Sequence, residues 1–349
     1  MEIPQPDSLV TKIDQWHQRH QEKPRPHLGA SMLGHPCERW LWLSFRWAVV
    51  EQFDGRILRL FRRGHNEELT IVSDLRNAGI TITDTGAKQS RVDFGSHVSG
   101  SIDGVITSGV PEAPEKKHIA EFKTHSKKSF DELLKKGVQE SKPVHYAQMQ
   151  VYMYGKGIDR ALYVAVCKDD DRLYTERVKL RKTEAKKLIA KGHRITLSDR
   201  MPEPLSADPT WYQCKFCPAH SFCHETKLTK KVNCRTCAHS TPTEESEWNC
   251  SRYPGKPIPT DFQHKGCCQH VLHPDLVPWP MSDSDKEHCA VYEIDGVPVY
   301  NGCADIEANI FGSKELVSHP EECAKTAKGE QDEFIQALRE TFDAEFTNE

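Results

Sequence analysis

Apolar residues recur at helical spacing in DSLVTKIDQWHQRHQ (7–21), where Leu9, Val10, Ile13 and Trp16 share a stripe and Asp7 or Ser8 precedes them as a cap. The same reading gives helices over 38–47 and 54–78, the second stopped at Gly79. Short strands are expected near 80–83, 88–94, 97–106 and 117–123, followed by a helix over 143–155. A hairpin of 161–167 and 172–179 turns at the run Asp169 to Asp171. A helix over 182–193 then leads into Pro202, Pro204 and Pro209, where regular structure ends. This order predicts an α/β unit in the first two thirds of the chain, a central mixed sheet flanked by helices. There is no internal repeat and no extended low-complexity segment.

Length changes that picture only by allowing a second domain, since 349 residues exceed one average domain. A mean hydropathy of −0.66 and 28% charged residues fit a soluble chain. The most apolar early stretch, WLWLSFRWAVV (40–50), is cut by Arg46 and is too short to span a bilayer. With no apolar leader before a cleavage site, a cytoplasmic location and no membrane partner are expected. The net charge of −4 argues against coating nucleic acid by bulk electrostatics. Local basic runs at 56–65, 123–136 and 179–194 are enough for a groove that contacts phosphates, although each run also reads as a solvated helix face.

Three strings carry the chemistry. GSIDGVI (100–106) places Asp103 on an expected strand, AEFKT (120–124) places Glu121 and Lys123 on the next, and HYAQMQVYMY (145–154) places Gln148 and Tyr152 on the following helix. Because strand side chains alternate, Glu121 and Lys123 point one way while Phe122 points into the core. Gln148 and Tyr152 lie one helical turn apart and share a face. Asp103, Glu121 and His65 are oxygen and imidazole donors suited to Mg²⁺ or Mn²⁺. Two carboxylates and a lysine around such a cation point to phosphodiester hydrolysis, with Lys123 orienting the attacking water or stabilising transition-state charge.

These strings resemble the PD-(D/E)XK nuclease superfamily, and within it the RecB-like branch with a Q-x-x-x-Y helix after the E-x-K strand. The helix ending in a Gly-His pair that marks this branch corresponds to RLFRRGHNEEL (59–69), with Gly64 and His65. The likeness is greatest to the iron–sulfur exonucleases of the branch, CRISPR-associated and phage relatives among them, and covers roughly residues 28–225. It implies a restriction-endonuclease-like core, a backbone carbonyl of Phe122 as a further metal ligand, and Gln148 and Tyr152 facing nucleic acid. The superfamily's proline before the aspartate is absent; Ser101 and Ile102 stand there.

Thirteen cysteines without a secretory leader favour metal over a disulfide framework. YQCKFCPAHSFCH (212–224) holds Cys214, Cys217 and Cys223, and the resemblance supplies Cys37 as the fourth thiolate, followed by Arg39, Trp40 and Trp42. Four thiolates bind [4Fe–4S] or Zn²⁺; the x₅ spacing, Pro218 and the resemblance favour the cluster, acting as a staple across a long loop. Beyond residue 230, Cys234, Cys237, Cys250 and either Cys267 or Cys268 are expected to hold one Zn²⁺, with His239, His270 and His273 as substitutes. Cys167, Cys289, Cys303 and Cys323 show no partner pattern.

The expected organisation is a nuclease domain with its cluster over 1–229, a small cysteine-rich zinc module over 230–280, and a C-terminal extension with an acidic helix over 281–349. The expected function is a metal-dependent DNA exonuclease of recombination, repair or phage DNA processing, with DNA and recombination or replication proteins as partners. Two other classes fit the same chain: a catalytically silent nucleic-acid-binding protein on a nuclease fold, and a zinc-dependent DNA-binding regulator.

Overall fold

The computed structural model describes residues 8–304 and 309–329, together with Ile335 and Ala337. Asp7 and the acidic C-terminal helix, apart from those two residues, lie outside the described residues. The chain divides into two compact units, Met1–Pro36 with Glu51–Thr196 and Cys37–Val50 with Leu197–Glu349. The division therefore falls at 196/197, not at 229/230, and the segment carrying Cys37 belongs with the C-terminal unit.

The first unit begins with α1 (Leu9–Arg19), capped by Ser8 Oγ accepting from the Thr11 amide at 3.1 Å, and β1 (Leu28–Gly29). Helix α2 (Glu38–Phe45) belongs to the second unit; α3 (Gly55–Asn77) returns to the first, capped by Asp54. Then follow β2 (Thr81–Thr83), β3 (Arg91–Asp93), β4 (Val98–Ser101), β5 (Gly104–Ser108) and β6 (His118–His125). Two helices, α4 (Lys127–Ser141) and α5 (Pro143–Lys156), lead to the hairpin β7 (Arg160–Cys167) and β8 (Leu173–Lys179), and α6 (Lys182–Leu197) follows.

The main sheet has the order β2-β5-β6-β7-β8, antiparallel except for the central parallel pair β6 and β7. A parallel pair needs a crossover, which α4 and α5 provide. Helix α4 falls in a stretch whose lysines mark it only as basic; Phe130, Leu133 and Val138 are its buried stripe. A second sheet has the order β1-β4-β3. The expected strand over 97–106 is thus two strands in two sheets, broken at Ile102 and Asp103. Ile102 is fully buried and donates its amide to Ser90 O, so the chain changes sheets here and Asp103 sits at the break instead of inside a strand. One core packs Ile71 and Val72 of α3 against Ile106, Phe122, Leu162 and Val164.

In the second unit, α7 (Tyr212–Lys215) opens the 212–224 cysteine run. A hairpin of β9 (Ser240–Pro242) and β10 (Trp248–Cys250) precedes α8 (Thr260–Gln263). The sheet β11-β12-β13-β14 (Met281–Ser282, Ala290–Ile294, Val297–Asn301, Ile310–Phe311) precedes α9 (Ser313–Ser318) and α10 (Pro320–Ala327). Val271, Leu272, Tyr292, Val299, Phe311 and Leu316 share one core, against which Leu228 and Val232 also pack. Residues either side of the expected 280/281 boundary are therefore held by common burial. A second nucleus is built on cations: Arg235 lies 3.8 Å over the Trp47 ring, and Arg46 lies 4.7 Å over Trp42 and 5.4 Å over Trp248. Burial lowers Arg46 to about 10 and Arg235 to about 9, and Arg235 donates to Gln263 Oε1 and Phe45 O.

Candidate active site and thiol clusters

Strand β6 presents Glu121 and Lys123 on one face, and Phe122 enters the core as strand alternation requires. The break at Asp103 lets its Oδ2 accept the Phe122 amide proton at 2.9 Å, clipping the carboxylate to the E-x-K strand. Lys123 Nζ pairs directly with Glu121 Oε1, stands 3.9 Å from Asp103 Oδ2 and donates to the Phe122 carbonyl at 3.0 Å. From α5, Gln148 Nε2 donates to Glu121 Oε2 at 2.9 Å. Tyr152, one turn on, is buried, and the charges of Glu121 and Asp103 help to hold its hydroxyl protonated. A Cβ at Gly100 would collide with that hydroxyl, so only glycine lets β4 approach it.

Glu121 is 0% exposed, and burial raises its carboxyl to about 8 against the opposing pull of Lys123. Lys123 is held charged by Glu121 and Asp103. A fourth group comes from α3: Glu68 lies within the fields of Asp103, Lys123 and His65, and its own carboxyl is raised, first by burial and then by Asp103. His65 is exposed one turn earlier and sits in the middle of α3 instead of at a helix end. Glu68 escaped the motif reading, although its i+3 spacing from His65 puts both on one face of the helix. His145, one turn before Gln148, was also missed; its Nδ1 lies 2.9 Å from the Tyr163 hydroxyl.

The cysteines gather in two places in the second unit. Cys37, Cys214, Cys217 and Cys223 line one pocket together with Trp40 and His220. Cys37 caps α2, its Sγ accepting from the Trp40 amide at 3.4 Å, and burial raises the Cys223 thiol against the opposing pull of the nearby Arg39 guanidinium. Burial pushes Cys217 up to about 11 amid the other three thiols. In the knuckle, Cys234 feels Cys237, Cys267 and Cys250 and is pushed up to about 12 by burial, while Cys237, pushed to about 11, feels Cys267 and Cys250. Cys303, a thiol without a partner pattern in sequence, lies near Cys268 and Cys267, and its own thiol is raised first by burial. His270 is consumed by Ser313 Oγ at 2.8 Å and Asn233 O at 3.0 Å, and His273 caps the following turn. Among the described residues, no three His, Cys, Asp or Glu side chains stand in metal-ligating geometry. Among the described residues, no helix is long and apolar enough to cross a membrane.

No family model matches the chain, and no curated protein matches it. Among solved structures it is similar to the protein SSO0001, at 15% identity over 62% of this chain and 96% of that one, with a TM-score of 0.39. It is also similar to an alkaline exonuclease, LHK-Exo, from Laribacter hongkongensis, at 16% identity over 52% of this chain and 90% of that one, with a TM-score of 0.34. The same exonuclease in complex with dAMP gives 15% identity, coverages of 53% and 89%, and a TM-score of 0.37. At these scores the likeness is partial, and the site rests on its own geometry.

Proposed function

We propose that the first unit is a divalent-metal-dependent deoxyribonuclease that works from DNA ends. The observation that carries this reading is the Asp103 carboxylate clipped to the Phe122 amide beside Glu121, with the Lys123 ammonium set against both. Two carboxylates and the Phe122 carbonyl are hard oxygen donors, which fit Mg²⁺ or Mn²⁺, and Glu68 and His65 stand on the adjoining helix face. Bound there, the cation would polarise the scissile phosphate and acidify an attacking water. The chain's own groups do the rest. Gln148 fixes the Glu121 carboxylate, Asp103 is fixed by backbone, and Lys123 offers a permanent positive charge to the phosphate.

In the second unit, the pocket shared by Cys37, Cys214, Cys217 and Cys223 has the donor set of a [4Fe–4S] cluster, and Cys234, Cys237, Cys250 and Cys267 have that of a structural Zn²⁺. Both would act by cross-linking, and recombination, repair or phage DNA processing is the setting that suits the activity. Digestion of end-labelled single- and double-stranded DNA with Mg²⁺ and with Mn²⁺ tests the reading. Mononucleotide release that chelator stops supports it; absence of cleavage with either metal on any substrate overturns it.

A further inference from the structure

The face of β6 that carries Glu121 and Lys123 continues to His125, two residues on, and the opposing strand extends it. Glu121 pairs with Tyr163 across the parallel β6 and β7, and cross-strand partners project from the same side of a sheet. Tyr163 is 0% exposed. Its hydroxyl lies 2.8 Å from His125 Nε2 and 2.9 Å from His145 Nδ1, and the far side of His125 lies 3.3 Å from Ser129 Oγ. The three rings are stacked within 29° of parallel. A phenol has one proton, so it donates to one imidazole and accepts from the other; Phe would satisfy neither. Desolvation pushes His125 down to about 4 and His145 to about 3, helped by Lys123 and Lys142, so both rings are neutral near pH 7. Placing two histidines and a buried tyrosine here adds nothing to packing that apolar residues would not supply.

His145, Gln148 and Tyr152 fall at i, i+3 and i+7 on α5, the face turned toward β6 and β7. His145 grips Tyr163 beside Glu121, and Gln148, the next turn, grips Glu121 itself. We infer that the line Ser129–His125–Tyr163–His145 is a positioning device that fixes the first turns of α5 so that Gln148 holds the Glu121 carboxylate in its working orientation. The inference rests on the nuclease reading of that carboxylate.

The test uses the full chain and three variants. Tyr163→Phe removes only the hydroxyl, His145→Asn keeps a polar atom where Nδ1 stands, and His145→Ala keeps none. Tyr163→Phe and His145→Ala are expected to weaken Mn²⁺ binding, read by titration calorimetry, and to lower kcat, each by about tenfold, with KM for DNA unchanged. His145→Asn should recover most of both. Hydrogen exchange at the amides of 146–149 in metal-free protein, a readout independent of activity, should quicken about tenfold in Tyr163→Phe. Unchanged exchange there overturns the positioning role whatever happens to cleavage. His145→Asn as slow as His145→Ala, with normal Mn²⁺ affinity, also overturns it, because the imidazole would then be exchanging a proton itself. If wild type and Glu121→Gln bind Mn²⁺ alike, the nuclease reading fails, and quickened exchange would still leave the line holding α5.

Discussion

The two units bury polar chemistry in opposite ways. Around β6 the polar groups satisfy one another within the protein: Lys123 with Glu121 and Asp103, Gln148 with Glu121, and the Phe122 amide with Asp103. In the second unit the thiols are buried beside each other with little to offset the cost of ionising, so Cys217, Cys234 and Cys237 are all held protonated to high pH. The first arrangement is formed in the polypeptide itself; the second has the donor set that the proposed cluster and zinc would complete. The first unit should therefore fold without metal and use metal only for chemistry, whereas the second should depend on metal for its fold.

The largest effects test the first half of that contrast. Glu121→Gln and Lys123→Met should each reduce DNA cleavage by about 10² to 10³-fold, measured under saturating Mg²⁺. Far-UV circular dichroism of Glu121→Gln should match wild type, because the amide is isosteric and still meets Gln148 and Lys123. Glu121→Ala differs: at 0% exposure it vacates a packed polar site, and a loss of about 2 to 4 kcal/mol in stability is expected by denaturant titration. Cleavage by Lys123→Met at the wild-type rate would remove the E-x-K pair from the chemistry.

The second half of the contrast is tested at the knuckle. Changing Cys234 and Cys237 together to Ser should release about one zinc per chain, by elemental analysis. Metal binding at such sites is worth on the order of 10 kcal/mol of folding free energy. Because Arg235 between these cysteines stacks on Trp47 and bonds Phe45 O, the damage should spread through the second unit instead of stopping near residue 273. Limited proteolysis should then cut within 37–50 as well as after 230. Protection of 37–50 in the double variant would show the knuckle to be an independent module.

How much of this the sequence discloses depends on the kind of signal. Period-2 alternation around Glu121 and Lys123, and the four-residue step from Gln148 to Tyr152, are local and survive into the structure. Asp103 was legible as a residue but not in its setting, since a change of sheet at Ile102 is a tertiary event without a turn residue to mark it. Glu68 and His145 look like ordinary surface positions until α3 and α5 are packed, because one helical turn carries no mark of which face meets the sheet. The cysteine spacings forecast grouping, but the fold brings Cys267 beside Cys234 and Cys237 while Cys303 lies near both Cys267 and Cys268, an arrangement that two adjacent residues cannot reveal. The sheet of β11 to β14 went unforeseen, since its strands are short and polar-flanked and are recognisable only through their shared core.

That shared core gives a smaller, metal-independent test. Asn301 is 0% exposed; its Oδ1 accepts from the Leu272 amide at 2.7 Å, and its Nδ2 donates to Phe311 O at 3.0 Å. It thereby ties residues before 280 to those after. Asn301→Ala leaves the buried Leu272 amide without its acceptor, while the Phe311 carbonyl keeps the Gly302 amide, and should cost about 2 kcal/mol in the second unit's transition, without altering zinc content. A variant as stable as wild type would separate 281–329 from the preceding segment, as the sequence first implies.

The smallest effect is one of pH, and it separates the two units by window. In chelator, the folded first unit keeps a proton on Glu121 up to about 8, while the unfolded chain releases it near 4.5. At this group the folded state binds more protons than the unfolded one, so the Glu121 contribution is full below about 4.5, declines as pH rises toward 8, and levels off above; His125 and His145, neutral in the fold, contribute with the opposite slope below 6.5. Glu68, also raised by burial, acts in the same direction. Thiols raised from 9 to between about 11 and 12 give the same sign of slope, but only above pH 9. Thermal melts of the metal-free protein between pH 7 and 8, above the range in which the buried neutral His125 and His145 of the first unit and His270 and His273 of the second change their protonation on unfolding, should show the first unit's transition falling while the second holds level. Glu121→Gln should flatten most of the fall, and Mn²⁺, which favours the ionised carboxylate, should do so without mutation. A slope that survives both would mean that Glu121 ionises freely in the fold and that the polar cluster on β6 is wetter than its burial implies.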